Sequence, residues 1–153
     1  MQTFLPSPDY REAARTLDRS RLGKQRAETI QILRALTDPT YGWQHHPAVT
    51  MWRGSESQLV CYGLAICIEW CERGYEDGCA KLIMDIGRGL PPCPKPWWLG
   101  NPLLHSSHRS NLIRKDPVWY GQWGWREDGG QAYWWPGPTG HLHTNLDNKE
   151  TIQ

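Results

Sequence analysis

The segment LVCYGLAICIEWCER, from Leu59 to Arg73, is nearly all apolar and constrains the fold more than any other part of the chain. Ser55-Glu56-Ser57-Gln58 ahead of it has the Ser-x-x-Gln form of a capping box, and Gly74 behind it is a good C-terminal cap. The run therefore reads as one helix, and a helix that is apolar on nearly every side has to be buried by its neighbours. A chain of 153 residues suits a single domain with a real core around such a helix. No run alternates with period two and no internal repeat is visible. The expected fold is all-α, a compact single-domain helical bundle with long Pro-, Gly- and Trp-rich loops.

Ser7-Pro8-Asp9 reads as a helix start, with Ser7 as cap, Pro8 at the first helical position, and Asp9 and Glu12 in the first turn. This helix breaks or bends near Asp18. From there LDRSRLGKQRAETIQILRAL carries Leu22, Ile30, Leu33 and Leu36 at helical spacing as far as Asp38-Pro39. Residues 37–54 are expected as an ordered loop with a short helical turn, residues 79–87 as a shorter helix, and residues 105–115 as one more, stopped by Pro117. Between the last two, Pro91, Pro92, Pro94, Pro96 and Pro102 exclude regular structure. The folded domain is placed at residues 1–136, with a polar tail over 137–153.

No stretch of 18 apolar residues exists, and no basic segment leads into an apolar one at the N-terminus. The expected setting is the cytoplasm, with no membrane partner. Five Cys, an odd number with no pair at the two-residue gap of a zinc knuckle or redox motif, read as reduced and mostly buried thiols.

A composition of 39% hydrophobic and 22% charged residues is globular and excludes a disordered chain. The net charge of +1 excludes a strongly basic nucleic-acid binder of the histone or arm type, but it hides a local asymmetry. Residues 11–26 hold Arg11, Arg15, Arg19, Arg21, Lys24 and Arg26 against only Glu12 and Asp18, a local excess of four positive charges. Arg21, Lys24, Gln25, Glu28 and Gln31 differ by three, four or seven positions and share one helix face. Basic side chains so arranged commonly contact phosphates. A carboxylate among them, Glu28, is unwelcome beside an anionic ligand unless chemistry needs it. The alternative is a pair with Lys24 on a solvated face.

His105, Ser107, His108 and Arg109 can all donate to phosphate oxygens near a helix start. Alternatively His46, His105 and His108 supply three metal ligands. Ten Trp stand beside six Tyr and one Phe, and five of the Trp lie between 119 and 135. Flat aromatic faces of VWYGQWGW (118–125) stack on unpaired bases or wedge into an opened step. Trp119 with Tyr120 is the expected DNA-facing edge. Trp123, Trp125, Trp134 and Trp135 are expected to pack behind it.

Taken together, MQTFLPSPDY, LDRSRLGKQRAETIQIL, GWQHHPAVTMWRG, the helix ending in ERGYEDG, and HSSHRSNLIRKDPVWYGQWGW resemble the pyrimidine-dimer DNA glycosylase/AP-lyase family of phage endonuclease V type, most closely its actinobacterial and actinophage branch. The resemblance runs to about Pro136. It implies a compact all-α enzyme that needs no metal or cofactor. The free α-amine of the N-terminal residue attacks C1′ of the damaged nucleotide, forms an imine and cuts the strand by β-elimination. Glu28 falls on the family's essential carboxylate. Gln2 disfavours removal of the initiator residue, so the resemblance puts the nucleophile on Met1.

The implied partner is double-stranded DNA carrying a damaged or modified pyrimidine, bound by a monomer that is associated with the nucleoid through DNA. Its implied contacts are Arg19, Arg21, Lys24, Gln25, Arg26, His46, His105, Ser107, His108, Arg109, Arg114, Lys115, Trp119 and Tyr120. The chemistry is coherent, because an α-amine titrates near 7.7–8.0, far below lysine, and a carboxylate in hydrogen-bond reach can serve as general base. Two other functions fit the same residues: a non-catalytic module that binds distorted or modified nucleic acid, and a metal nuclease using the three histidines.

Overall fold

The computed structural model describes residues 1–144. Among them are seven α-helices, α1 (Tyr10–Thr16), α2 (Arg19–Thr37), α3 (Pro47–Thr50), α4 (Glu56–Glu72), α5 (Cys79–Gly87), α6 (Pro102–Lys115) and α7 (Pro117–Tyr120). A 3-10 turn (Gly121–Trp123) and two short strands, β1 (Trp134–Pro136) and β2 (Leu142–Thr144), follow. The strands pair antiparallel, Trp134 with Thr144 and Pro136 with Leu142. The architecture is all-α apart from this hairpin. The hairpin also crosses residue 136, so the chain remains folded into the stretch expected as a polar tail; positions 145–153 of that stretch lie outside the described residues.

α4 is the central helix, packed by α1, α2 and α5. Gly63 makes the α2 contact possible, because a Cβ there would meet the Thr29 methyl at 2.4 Å. The helix is not covered all round: Cys61, Ile68 and Cys71 face outward, and of the five thiols only Cys67 is fully buried. The capping box does not form, since Gln58 accepts instead from the Tyr10 hydroxyl (2.9 Å). Gly74 does end the helix, at φ +92°.

Two helix starts also differ from the sequence reading. Asp9, not Ser7, caps α1, its carboxylate accepting from the Glu12 amide at 2.9 Å. α6 begins three residues early, because Pro102 occupies the first helical position under an Asn101 cap (3.0 Å) where it was expected to exclude a helix.

Residues 2–5 are buried yet belong to no helix or strand. Buried backbone amides and carbonyls must find partners, and here side chains from three helices supply them. Gln25 on α2 accepts from the Phe4 amide (2.9 Å) and donates to the Gln2 carbonyl (2.8 Å). Tyr62 on α4 brings its hydroxyl within 3.0 Å of the Phe4 carbonyl, sharing its one hydrogen between that oxygen and Gln25 Oε1. From α6, His108 Nδ1 accepts from the Leu5 amide (2.9 Å), His105 Nδ1 bonds the Leu5 carbonyl (2.8 Å), and Arg109 donates to the Pro6 carbonyl (2.9 Å). This clamp fixes the path of the N-terminal segment through the core.

Tryptophans share in that core. Trp52 and Trp98 meet edge to face at 4.9 Å, Trp52 donating to Thr3 Oγ1 (3.0 Å) and Trp98 to the Met51 carbonyl (3.0 Å). Their N–H groups are satisfied inside the fold, so part of the Trp excess is core.

Candidate active site

The clamped segment ends at a cleft of about 580 Å³ between α2, the end of α6 and Tyr133. Met1, Gln2 and Phe4 form one wall, and Gln25 and Glu28 line it from α2. Gln25 joins the two, because its Nε2 donates both to the Gln2 carbonyl (2.8 Å) and to Glu28 Oε2 (2.7 Å). Its Oε1 accepts from the Phe4 amide and from Tyr62 Oη (2.6 Å). Both ends of the amide are therefore held, and the residue after Met1 is tied to the Glu28 carboxylate through a single side chain.

Glu28 is 6% exposed, and its other oxygen lies 3.5 Å from Lys24 Nζ. The pair expected on a solvated face exists, but the carboxylate half of it is buried. A buried carboxylate supported by one amide donor and one cation remains free to accept a further proton donor from the cleft.

Arg21, Lys24 and Lys115 line the same cleft. Burial, with the charges of Arg21, Arg114 and Lys24, pulls the Lys115 ammonium below its ordinary range. Such mutual repulsion marks a site suited to an anion. Asp18 lines the cleft as well and pairs with Arg21 at 3.1 Å. Burial works against its charge, but hydrogen bonds from Tyr120 and Arg21 hold its carboxyl below the usual range. His46, half-buried, is shifted down by burial first and then by the N-terminal ammonium, with Glu28 opposing, so its ring lies within electrostatic reach of both.

The remaining expected contacts divide by burial. Gln25, His105, Ser107, His108 and Tyr120 are all 3% exposed or less and present no surface to a duplex. Their polarity serves the fold: His105 uses both ring nitrogens, on the Leu5 carbonyl and the Gly100 amide (2.8 Å), and Ser107 accepts from the Trp134 amide (3.2 Å). The Tyr120 hydroxyl donates to Asp18, and the Trp125 ring stacks on Tyr120 at 5.7 Å. Trp119 is half-buried and tied to the Thr16 carbonyl (2.8 Å). The expected DNA-facing edge is thus largely internal.

Arg26 pairs with Asp77 (2.7 Å) under the Trp70 ring, and Arg109 pairs with Glu127 (2.7 Å), which occupies both cations within the fold. Arg19, against Tyr75, and Arg114, bonded to Asn111, remain exposed. The three histidines do not assemble as a ligand set. Among the described residues no group of three or more His, Cys, Asp or Glu side chains is placed to hold a metal ion. Gln2 and Tyr133, both lining the cleft, carry no motif that points to them in the sequence.

The family model for pyrimidine dimer DNA glycosylases matches residues 1–82. The chain belongs to this family. The matched stretch runs through α4 and holds the N-terminal segment and the α2 residues, Gln25 and Glu28 among them, that build one side of the cleft in this glycosylase-family protein. No curated protein and no solved structure matches the chain. Membership assigns a DNA repair glycosylase kind of function, with damaged pyrimidines in DNA as the substrate class. No helix among the described residues is long and apolar enough to cross a membrane.

Proposed function

We propose that the protein excises a damaged or modified pyrimidine from duplex DNA and then cuts the strand, acting without a metal, with the Met1 amine as nucleophile and Glu28 as proton-transfer group. The observation that carries this reading is the Gln25 bridge, which ties the carbonyl of Gln2 and the carboxylate of Glu28 to one nitrogen and brings the chain start to a buried acid. The amine nitrogen bonds to C1′ as the glycosidic bond to the pyrimidine breaks, and the base leaves with a proton. The nitrogen then loses a proton, and protonation of the ring oxygen O4′ breaks the C1′–O4′ bond and opens the sugar to an iminium (protonated imine), which acidifies C2′. Removal of a C2′ proton then expels the 3′ phosphate, and hydrolysis frees the amine.

Glu28 is suited to two tasks in that sequence, countering the positive charge that develops on the sugar and receiving the C2′ proton. Arg21, Lys24 and Lys115 are suited to hold the flanking phosphates, with Arg19 and Arg114 as outer contacts and His46 at the amine side. Exposing C1′ costs a few kcal/mol of unstacking, least where the base is damaged.

The test is strand cleavage of a duplex with one cyclobutane pyrimidine dimer, in excess chelator. Cleavage confined to the lesion strand supports the reading. Tight binding to the lesion duplex with no release of base across a panel of modified pyrimidines would replace it with the non-catalytic one.

A further inference from the structure

Trp43, in the turn between α2 and α3, is the only non-glycine among the described residues with a left-handed backbone, at φ +68°. It is also the most exposed aromatic side chain, with 61% of its surface open. A bulky residue adopts this backbone at a cost, and it persists only where the surroundings hold it there. Burial of the ring is not what holds it. The turn itself is pinned: Gln44 Nε2 reaches the carbonyls of Ala35 (2.8 Å), Asp38 (3.0 Å) and Tyr41 (2.9 Å), Arg53 donates to the Gln44 carbonyl (3.2 Å), and the Trp43 carbonyl accepts from the His46 amide (3.0 Å). A rigid, strained turn here keeps a large flat ring in solvent.

The ring is connected to the cleft by a row of aromatic contacts. Trp43 meets His46 edge to face at 5.9 Å, His46 meets Trp135 at 6.4 Å, and Trp135 meets Tyr133, which lines the cleft, at 5.7 Å. The side chains beside it, His45 and Arg53, are exposed and can donate to phosphates.

We propose that Trp43 enters the duplex beside the lesion, stacking in the opened base step, and thereby selects DNA whose stacking is already weakened at a pyrimidine. The proposal rests on the glycosylase reading for its biological sense but concerns recognition, not chemistry. An aromatic side chain that stacks on a base typically accounts for about tenfold or more in affinity. The strain is then a stability cost retained for binding, a trade known at functional sites.

The experiment compares Trp43→Gly, Trp43→Phe and, as a control at another exposed ring, Trp97→Ala. Each is assayed by fluorescence anisotropy for its affinity ratio between a duplex containing one tetrahydrofuran abasic analogue and the intact duplex, and by thermal melting. Glycine adopts φ +68° freely, so Trp43→Gly is expected to melt no lower than the parent while its affinity ratio falls about tenfold. Trp43→Phe should keep the ratio within about threefold, and Trp97→Ala should leave it unchanged. An unchanged ratio in Trp43→Gly overturns the proposal, as does a fall in melting temperature with no rescue of the ratio by Phe. Because the readout is binding, a parent protein that releases no base on the lesion panel defeats the glycosylase reading while leaving this test intact.

Discussion

α2 carries Gln25 and Glu28 against the N-terminal segment while leaving Lys24 73% exposed at the cleft mouth, whereas α6 buries His105, Ser107 and His108 completely. Both helices show a polar stripe in sequence, and the two stripes have different work. On α6 His105, Ser107 and His108 each meet a backbone group of Leu5 or of the strand at Trp134, so these side chains substitute for a missing β-partner. On α2 the stripe begins the same way, with Gln25, but one turn later it ends in a carboxylate with accepting capacity toward a cleft. The difference teaches that a polar face is diagnostic of a site only where a charge remains after the backbone has been satisfied.

The largest expected effect that sharpens this contrast comes from Glu28→Gln. The amide keeps the shape and a hydrogen bond to Gln25 but removes the proton acceptor, so strand cleavage should fall about 10²–10⁴-fold while affinity for lesion DNA changes little. Single-turnover cleavage and anisotropy on the same duplex separate the two. Unchanged cleavage would transfer Glu28 to the structural class to which α6 belongs.

His108→Ala probes the other helix. Loss of a fully buried ring leaves the Leu5 amide unpaired and a cavity behind it, with an expected loss of about 2–4 kcal/mol in urea-measured stability. A loss below about 1 kcal/mol would show that the clamp does not depend on α6.

The same helix sets a pH dependence. Burial, aided by His105 and Arg109, brings the His108 ring down to about 3, against roughly 6.5 in the unfolded chain. Between those values the unfolded state holds the extra proton, so stability is complete above about 6.5 and is lost as pH falls toward the folded value. His105, also shifted down by burial, acts in the same direction. Denaturation midpoints between pH 7 and 4 should therefore fall steadily. A flat profile contradicts the assignment of both rings as neutral core groups.

The smallest effects concern the cations. Lys24→Ala and Lys115→Ala should each weaken DNA binding a few-fold and reduce the slope of log affinity against log salt by about 0.9. Arg26→Ala and Arg109→Ala, whose charges are engaged by Asp77 and Glu127, should lower stability and leave that slope unchanged. Equal slopes for all four variants would erase the distinction between cleft and scaffold cations.

Much of the fold is legible in the sequence because its helices obey local rules. Leu59 to Glu72 has apolar content and a glycine stop, and the helix from Arg19 onward carries apolar residues at helical spacing. The departures also have local causes: Asp9 accepts from the Glu12 amide while the Ser7 hydroxyl donates to the Glu12 carboxylate, and Pro102 starts a helix because Asn101 precedes it. Glu28 and Lys24 were legible as a spacing. What the pattern could not carry is the burial of residues 2–5, a tertiary fact that converts HSSHR from a phosphate-binding motif into a core clamp. The aromatic segment misleads for a similar reason. Tyr120 and Trp125 stack with each other, while the ring most open to solvent, Trp43, stands in a turn whose left-handed backbone no composition reveals.

The central claim, that the chain start and Glu28 act together on a sugar, is tested most directly by borohydride trapping on a duplex with a single abasic site, followed by peptide mapping of the adduct. The account predicts one covalent adduct on the Met1 α-amine, abolished by prior acetylation of that amine and greatly reduced in Glu28→Gln. An adduct on Lys115 or Lys24, or one that survives acetylation of the N-terminus, would contradict it.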